Sequence, residues 1–401
     1  MAERITGCTL GCFAGDVLGL AWEGEAQRVI KKTVPSGPWR VFDGRELPDV
    51  QASAAAAGID LGQVPSLVGQ YTDDTESSLS LIDSMTTLGG LHARHAALSM
   101  AVWWARGGHG GYSGYTHQKM IALRQGTPLE ELDLPTAESM PGGSFGNGGA
   151  MRIPPVGIAF RSWVGDIGQE MDASEKTAFR EVVADAIKAT HTHEEAIDGA
   201  FILAVAVGQA AKADRDVLDT LDPVAWLRSL AALATTHPLG DNLASVADAL
   251  HSQAVGGEEE SQDDMYSPVD REVTSAWTEK WFQIRTSDAL PPVLYMVAKY
   301  GIGPNARPAE ALVRTVALGG DADTLGAMVG ALLGAIHGPD WILPEWRDAW
   351  EDDADALSLS LALSRLGEGI THIPSDDDAA NQASDQLLLL LQSLPIPSRH
   401  G

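Results

Sequence analysis

Apolar residues recur along this chain at helical spacing and seldom alternate. The segments "LSLIDSMTTL" (79–88), "EVVADAIKAT" (181–190), "AIDGAFILAVAVGQAAKA" (196–213) and "PVAWLRSLAAL" (223–233) each suit a helix. So do "PPVLYMVAKY" (291–300), "AEALVRTVAL" (309–318) and "LGAMVGALLGAI" (325–336). Several are apolar nearly all round, which predicts helices buried on every side. Strand-like alternation is scarce, so the pattern predicts an all-α fold. Two connections, 24–70 and 125–155, are longer than compact helical domains need and read as functional or inserted loops. The acidic run at 255–270 and the polar "PSDDDAANQASDQ" before the final "LLLLLQSL" read as solvated loops.

Small residues add a second pattern. Gly7, Gly11, Gly15 and Gly19 recur every four residues, as do Gly326, Gly330, Gly334 and Gly338. On helices each set makes a smooth ridge that another backbone can approach closely. Interior glycine costs a helix about 1 kcal/mol relative to alanine, so tight packing of two central helices is the expected compensation. A different glycine cluster, "GSFGNGGAMRIPP" (143–155), mixes Gly and Pro and predicts neither regular helix nor strand. It reads as backbone shaped to approach a ligand.

Composition narrows the function. The 401 residues are 44% hydrophobic and carry a formal net charge of -28, which argues against binding nucleic acid through its phosphates. A small phosphorylated ligand stays open, since glycine-rich backbone can bind phosphate without cations. Cys8 and Cys12 alone make no disulfide framework and read as small buried residues. The start "MAERITGC" lacks the pattern of a signal peptide, and the longest apolar run, Leu325 to Ile336, is too short to span a bilayer. A soluble cytoplasmic protein is expected.

The candidate chemistry lies in acids at helix starts. "YTDDTESS" brings Thr72, Asp73, Asp74 and Thr75 to one start, and "GGDADTLG" brings Asp321, Asp323 and Thr324 to another. One cap residue would satisfy each helix; two carboxylates with adjacent hydroxyls exceed that need. Oxygen donors without His or Cys suit a hard cation, Mg²⁺, Mn²⁺ or Ca²⁺, and two clusters suit a pair of ions sharing a carboxylate. Neither cluster has the spacing of an EF-hand. Asp16 and Glu23, seven apart, would share a face if the first helix continued that far. "GGHGGYSGYTH" (107–117) puts flexible backbone and Ser113 ahead of the helical "QKMIALRQG", a place that suits an anion. In "ATHTHEEAIDGAF", Thr192 and Glu195 have capping-box spacing, which leaves His191 just outside the helix.

Taken in order, "GDVLGLAWE", "YTDDT", "GSFGNGGAMRIPPVG", "THTHEEAIDGA" and "GGDADTLGAMVGALLGAIHG" resemble the ADP-ribosylglycohydrolase family, from about Gly7 to Gly338. The resemblance implies an all-α orthogonal helical bundle with a central dinuclear metal site holding two Mg²⁺, with Mn²⁺ as the alternative. By motif position Thr72, Asp73 and Asp74 would bind one ion, Asp321 and Thr324 the second, and Asp323 would bridge. Glu23 matches the family's mobile glutamate, so the implied catalytic set is Glu23, Asp74 and Asp323; Asp16 matches an acid of mainly structural role. Ser144, Phe145, Gly146 and Asn147 would contact ADP-ribose, with Phe145 packing on adenine or ribose. Gly111, Tyr112, Ser113 and Gly114 would form the phosphate-contacting turn, and His191 would lie near the ribose. Arg152 is expected to pair with a core acid.

The implied reaction is water attack at the anomeric carbon of the distal ribose, releasing ADP-ribose from a protein side chain or small adduct. The glycine-loop wording is nearer the serine and poly(ADP-ribose)-directed branch, and "THTHEEAIDGA" nearer the arginine-directed one. Residues 1–345 would form the catalytic domain, with 346–401 a helical extension packed on it. Two alternatives are weighed against this. A Mg²⁺-dependent terpene synthase would need an acid where Ser77 stands. A family member that binds ADP-ribose without turnover would be expected to lack metal ligands, and every expected ligand type is present.

Overall fold

The computed structural model describes residues 1–24, 70–106, 110–132, 142–256, 282–347, 354–366 and 378–397, with single residues 270, 273, 350 and 370. Most of the connection 24–70 and most of the acidic run 255–270 lie outside the described residues. The helices that position the site are α1 (Ala2–Leu20), α2 (Asp73–Leu88), α3 (Ala93–Ala105), α4 (Gly114–Arg124), α5 (Glu194–Lys212), α6 (Thr286–Met296), α7 (Ala322–His337) and α8 (Asp378–Ser393). Among the described residues the protein is all-α; one isolated bridge, Gly146 to Arg285, is its β-structure. None of the described helices is long and apolar enough to cross a membrane.

The two glycine stripes pack on each other. A Cβ on Gly7, Gly11, Gly15 or Gly19 would lie closer than 3.0 Å to backbone of Gly334, Gly330, Gly326 or Ala322 respectively, and the α7 glycines meet α1 in the same way. The order of these partners makes the pair antiparallel. The C-terminal end of α1 therefore arrives at the N-terminal end of α7. That is how Asp16 and Glu23 come to stand beside Asp321 and Asp323 although about 300 residues separate them. The turn after α1 is pinned there by Gly24, whose N–H donates to Gly320 O at 2.7 Å.

Around this pair the apolar helices form one large core, with Phe13 packed between Tyr71 and Trp350 at ring-centroid distances of 5.0 and 4.7 Å. A smaller cluster gathers α3 and α4 with Leu391 of α8. Helix Ala354–Ser364 lies against α1 and α2, and α8 lies against α3.

Three local expectations need correction. The polar stretch ahead of the final apolar run is not a loop from Asp378 onward: α8 begins there and takes in the residues up to Gln386. The glycine–proline segment is not devoid of regular structure: Gly148–Met151 and Pro154–Ala159 are short helices. Pro154 and Pro155 occupy the first positions of the latter, where no N–H is required. Likewise α6 starts at Thr286, five residues before the proline pair, and carries Pro291 and Pro292 inside it. Its start is fixed tertiarily, by Thr286 Oγ1 donating to Gly146 O at 2.7 Å.

Candidate metal centre and ligand cleft

Asp16 organises the first acidic helix start. Its carboxylate is fully buried and accepts from Thr72 N at 3.0 Å, Thr72 Oγ1 at 2.9 Å, Thr75 N at 3.0 Å and Thr75 Oγ1 at 2.7 Å. An acid supplied by α1 thus caps α2, which relieves Asp73 and Asp74 of that task. At the second start Asp321 occupies the N-cap position of α7 and makes no side-chain capping bond. Asp323 Oδ1 accepts from Thr324 N at 2.9 Å.

The acids converge. Carboxylate oxygens of Asp16, Asp74 and Asp323 lie within 4.8 Å of one another, as do those of Glu23, Asp321 and Asp323. Asp323 belongs to both sets; the first contains Asp16, expected to be mainly structural, and neither contains Asp73, expected to be a ligand. Thr324 Oγ1 donates to Asp74 Oδ2 at 3.3 Å, so hydroxyl and carboxylate from the two helix starts touch. Asp74 Oδ1 is buried and has no hydrogen-bond partner. Among the described residues no Lys or Arg forms an ion pair with any of these acids. A buried, unpaired carboxylate oxygen among converging acids is costly unless a cation compensates it. The all-oxygen donor set fits a hard divalent ion.

Electrostatics agree with the geometry. Burial, reinforced by neighbouring acids, holds Asp73, Asp74 and Asp323 well above the usual carboxylate range. Burial also lifts Asp321, against hydrogen bonds from Asn147 and others. Glu23, whose side chain reaches solvent, is pushed up to about 7 by desolvation, Asp321 and Asp16. These shifts give a pH prediction. In the metal-free protein the folded state binds protons more tightly than the unfolded chain. The resulting stability is fully present below the unfolded carboxylate values near 4 and is lost as pH rises through the folded ones. A bound cation must displace those protons. Where one proton is displaced, apparent Mg²⁺ affinity should rise about tenfold per pH unit. Mg²⁺ should therefore raise the melting temperature more at pH 8 than at pH 5.5, by calorimetry; an equal shift at both would contradict the assignment.

A cleft of about 300 Å³ opens over the acids. Of the residues expected to bind ADP-ribose, Gly111, Ser113, Ser144, Gly146, Asn147 and His191 line it, together with Glu23, Asp73, Asp74, Asp321, Asp323 and Thr324. Tyr112, Gly114, Phe145 and Thr72 are not among the lining residues. Tyr112 donates its hydroxyl to Glu76 Oε1 at 2.8 Å, tying the glycine turn to α2. Gly111, at φ 92°, packs directly against Asp73, where no Cβ fits. Helix α4 begins at Gly114, earlier than the sequence indicated, and Ser113 Oγ caps it by accepting from Thr116 N at 3.1 Å. Phe145 is 37% exposed, with the Arg285 guanidinium 5.2 Å from its ring centre.

Several partners were not readable locally. Arg152 pairs with no core acid; it donates to Gly148 O at 2.8 Å, Ile187 O at 3.2 Å and Thr190 Oγ1 at 2.7 Å. The Thr190 hydroxyl also hydrogen-bonds His191 Nδ1, 2.7 Å away. Burial keeps His191 neutral by lowering its pKa well below the ordinary value. The Thr192–Glu195 capping box does not form. His193 caps α5 instead, Nδ1 accepting from Glu195 N at 3.1 Å. Glu195 turns to Arg285, whose Nε and Nη2 donate to it at 2.7 and 2.6 Å. These bonds outweigh the opposing effect of burial and hold Glu195 below its usual pKa. The cleft wall also takes Phe282 and Ile284 from a segment that carries no sequence motif.

Comparison with known proteins places the chain in a family. The family model described as ADP-ribosylglycohydrolase matches residues 1–372, and the chain belongs to that family. It is 27% identical to the ADP-ribosylhydrolase ARH3 of Danio rerio, over 90% of each chain. Against ARH3 of Homo sapiens the identity is 23%, over 90% of this chain and 93% of that one. An uncharacterised Escherichia coli protein, YegU, is 26% identical over 85% of this chain and 90% of its own length. Among solved structures, an ADP-ribosylglycohydrolase-related protein complex superposes with a TM-score of 0.53 at 23% identity, covering 91% of this chain and 98% of that one. That likeness supports the fold.

Proposed function

We propose that the protein is a metal-dependent hydrolase that releases ADP-ribose from a modified protein side chain or small adduct. The observation that carries this reading is Asp323, one buried carboxylate shared by two acid sets beneath a glycine-lined cleft. Family membership and the ARH3 relatives support ADP-ribosyl chemistry at that cleft. Thr72, Asp73 and Asp74 would hold one divalent ion, Mg²⁺ or Mn²⁺; Asp321 and Thr324 would hold a second, with Asp323 between them. Such ions polarise substrate oxygens and lower the pKa of a coordinated water.

The chain's own residues supply the rest. Backbone N–H groups of the Gly111–Gly114 turn and of Ser144 and Phe145 bind pyrophosphate and ribose, with no Cβ at Gly111 to hold the ligand off; Gly146 N donates to Ser144 Oγ at 3.1 Å and Asn147 N to Ile284 O at 2.7 Å, which fixes the loop. His191, neutral in its buried setting, presents its ring to the cleft as a hydrogen-bonding partner for the ligand. Asn147 holds Asp321 through a bond of 2.5 Å to Oδ2. Glu23 is the accessible carboxylate of the cluster, and it is the group placed to exchange a proton with water or with the departing acceptor.

The test is ADP-ribose release from arginine-linked and serine-linked ADP-ribosyl peptides, each with Mg²⁺ and with EDTA. Release from one peptide, abolished by EDTA, is expected and identifies the acceptor class. Tight ADP-ribose binding without release from either would contradict hydrolysis of a protein-linked substrate.

A further inference from the structure

Gln283 lies in the segment that enters α6 and is fully buried. Its Oε1 accepts the backbone N–H of Asp321 at 2.8 Å. Its carbonyl oxygen accepts Asn147 Nδ2 at 2.9 Å, and that same nitrogen donates to Asp321 Oδ2. Three segments remote in sequence thus close a ring that grips Asp321 at main chain and carboxylate together. The grip has a purpose, because the two preceding residues, Gly319 and Gly320, sit at φ 75° and 73°, in backbone that favours glycine. The Gln283 amide fills the space over Gly320, where a Cβ would lie closer than 3.0 Å to its Oε1, Nε2 and Cδ.

One feature of the ring works against stability. Gln283 Nε2 is buried without a hydrogen-bond partner, and an unpaired buried donor is destabilising. A side chain retained only for packing would not leave its amide nitrogen so placed.

We infer that Gln283 is a positioning residue that sets the Asp321 carboxylate for the second of two divalent ions. The inference rests on the two-cation reading above. Its test is a calorimetric Mn²⁺ titration of the wild type, Gln283→Met and Gln283→Glu, with metal-free melting of each. Wild type should bind two ions. Gln283→Met should weaken one of the two sites about 10–100-fold, the usual effect of losing an outer partner of a metal ligand, with only a small fall in metal-free melting temperature, because the Asp321 N–H loses its acceptor while the unpaired Nε2 is removed. Gln283→Glu keeps the acceptor oxygen and should retain both sites. A methionine variant that fails to fold would assign Gln283 to packing and overturn the inference. So would two intact sites in that variant, or loss of a site in Gln283→Glu. Fewer than two ions in the wild type would remove the two-cation reading itself, and the inference with it.

Discussion

Asp323→Asn should reduce ADP-ribose release roughly a thousandfold and, without metal, melt at a higher temperature than the wild type at pH 8. The two effects have one cause. Asp323 shares oxygens with both acid sets, so an amide in its place weakens the hold on both ions together. Losing about 4 kcal/mol of metal-derived stabilisation corresponds to about a thousandfold in rate. In the metal-free protein the same carboxylate is buried against Asp321, Asp74 and Glu23. A neutral isostere relieves that repulsion, and Mg²⁺ should then reverse the order of the two melting temperatures. Melting curves with and without Mg²⁺, paired with release rates, check both halves; a variant that loses activity by unfolding would show neither pattern.

The second large effect belongs to the glycine zipper. Gly11→Val or Gly330→Val places carbon atoms where the facing helix has backbone, since even a Cβ at either site lies closer than 3.0 Å to it. Neither backbone can yield without parting α1 from α7. Overpacked cores lose typically 1–3 kcal/mol, and here the obstruction is main chain, so about 3 kcal/mol is expected. That is a large part of the 5–15 kcal/mol a native domain holds. Variants that still fold should also lose metal affinity, because the same contact carries Glu23 to Asp323. Gly240→Ala is the control. Its Cβ meets the Ala234 side chain at 3.4 Å, and it should be neutral or stabilising by up to about 1 kcal/mol. Denaturant unfolding of the three variants decides it.

The zipper shows why so much of this fold is written locally. Spacing of four in Gly7–Gly19 and Gly326–Gly338 already states that two helices meet backbone to backbone, and Glu23 just after the first stripe and Asp321 and Asp323 just before the second say what the contact brings together. Helical periodicity places the buried helices because each side chain's environment repeats with the turn. Partner choice has no such period. Nothing near Glu195 in sequence distinguishes a capping glutamate from one that binds Arg285, 90 residues away. Arg152 reads as a cation in want of an acid, and the fold gives it carbonyls and a threonine hydroxyl. Gln283 sits in a stretch with no motif and becomes visible only when Asp321 and Asn147 close around it. These contacts depend on which loops the helices bring together, which local pattern does not encode.

Diffraction from crystals soaked in Mn²⁺, recorded at the manganese absorption edge, tests the central claim most directly. Two anomalous peaks about 3.5–4 Å apart are expected, one against Asp73 and Asp74, the other against Asp321, with Asp323 reaching both. A single peak, or peaks away from Asp323, would contradict the shared-carboxylate centre on which the account of this protein rests.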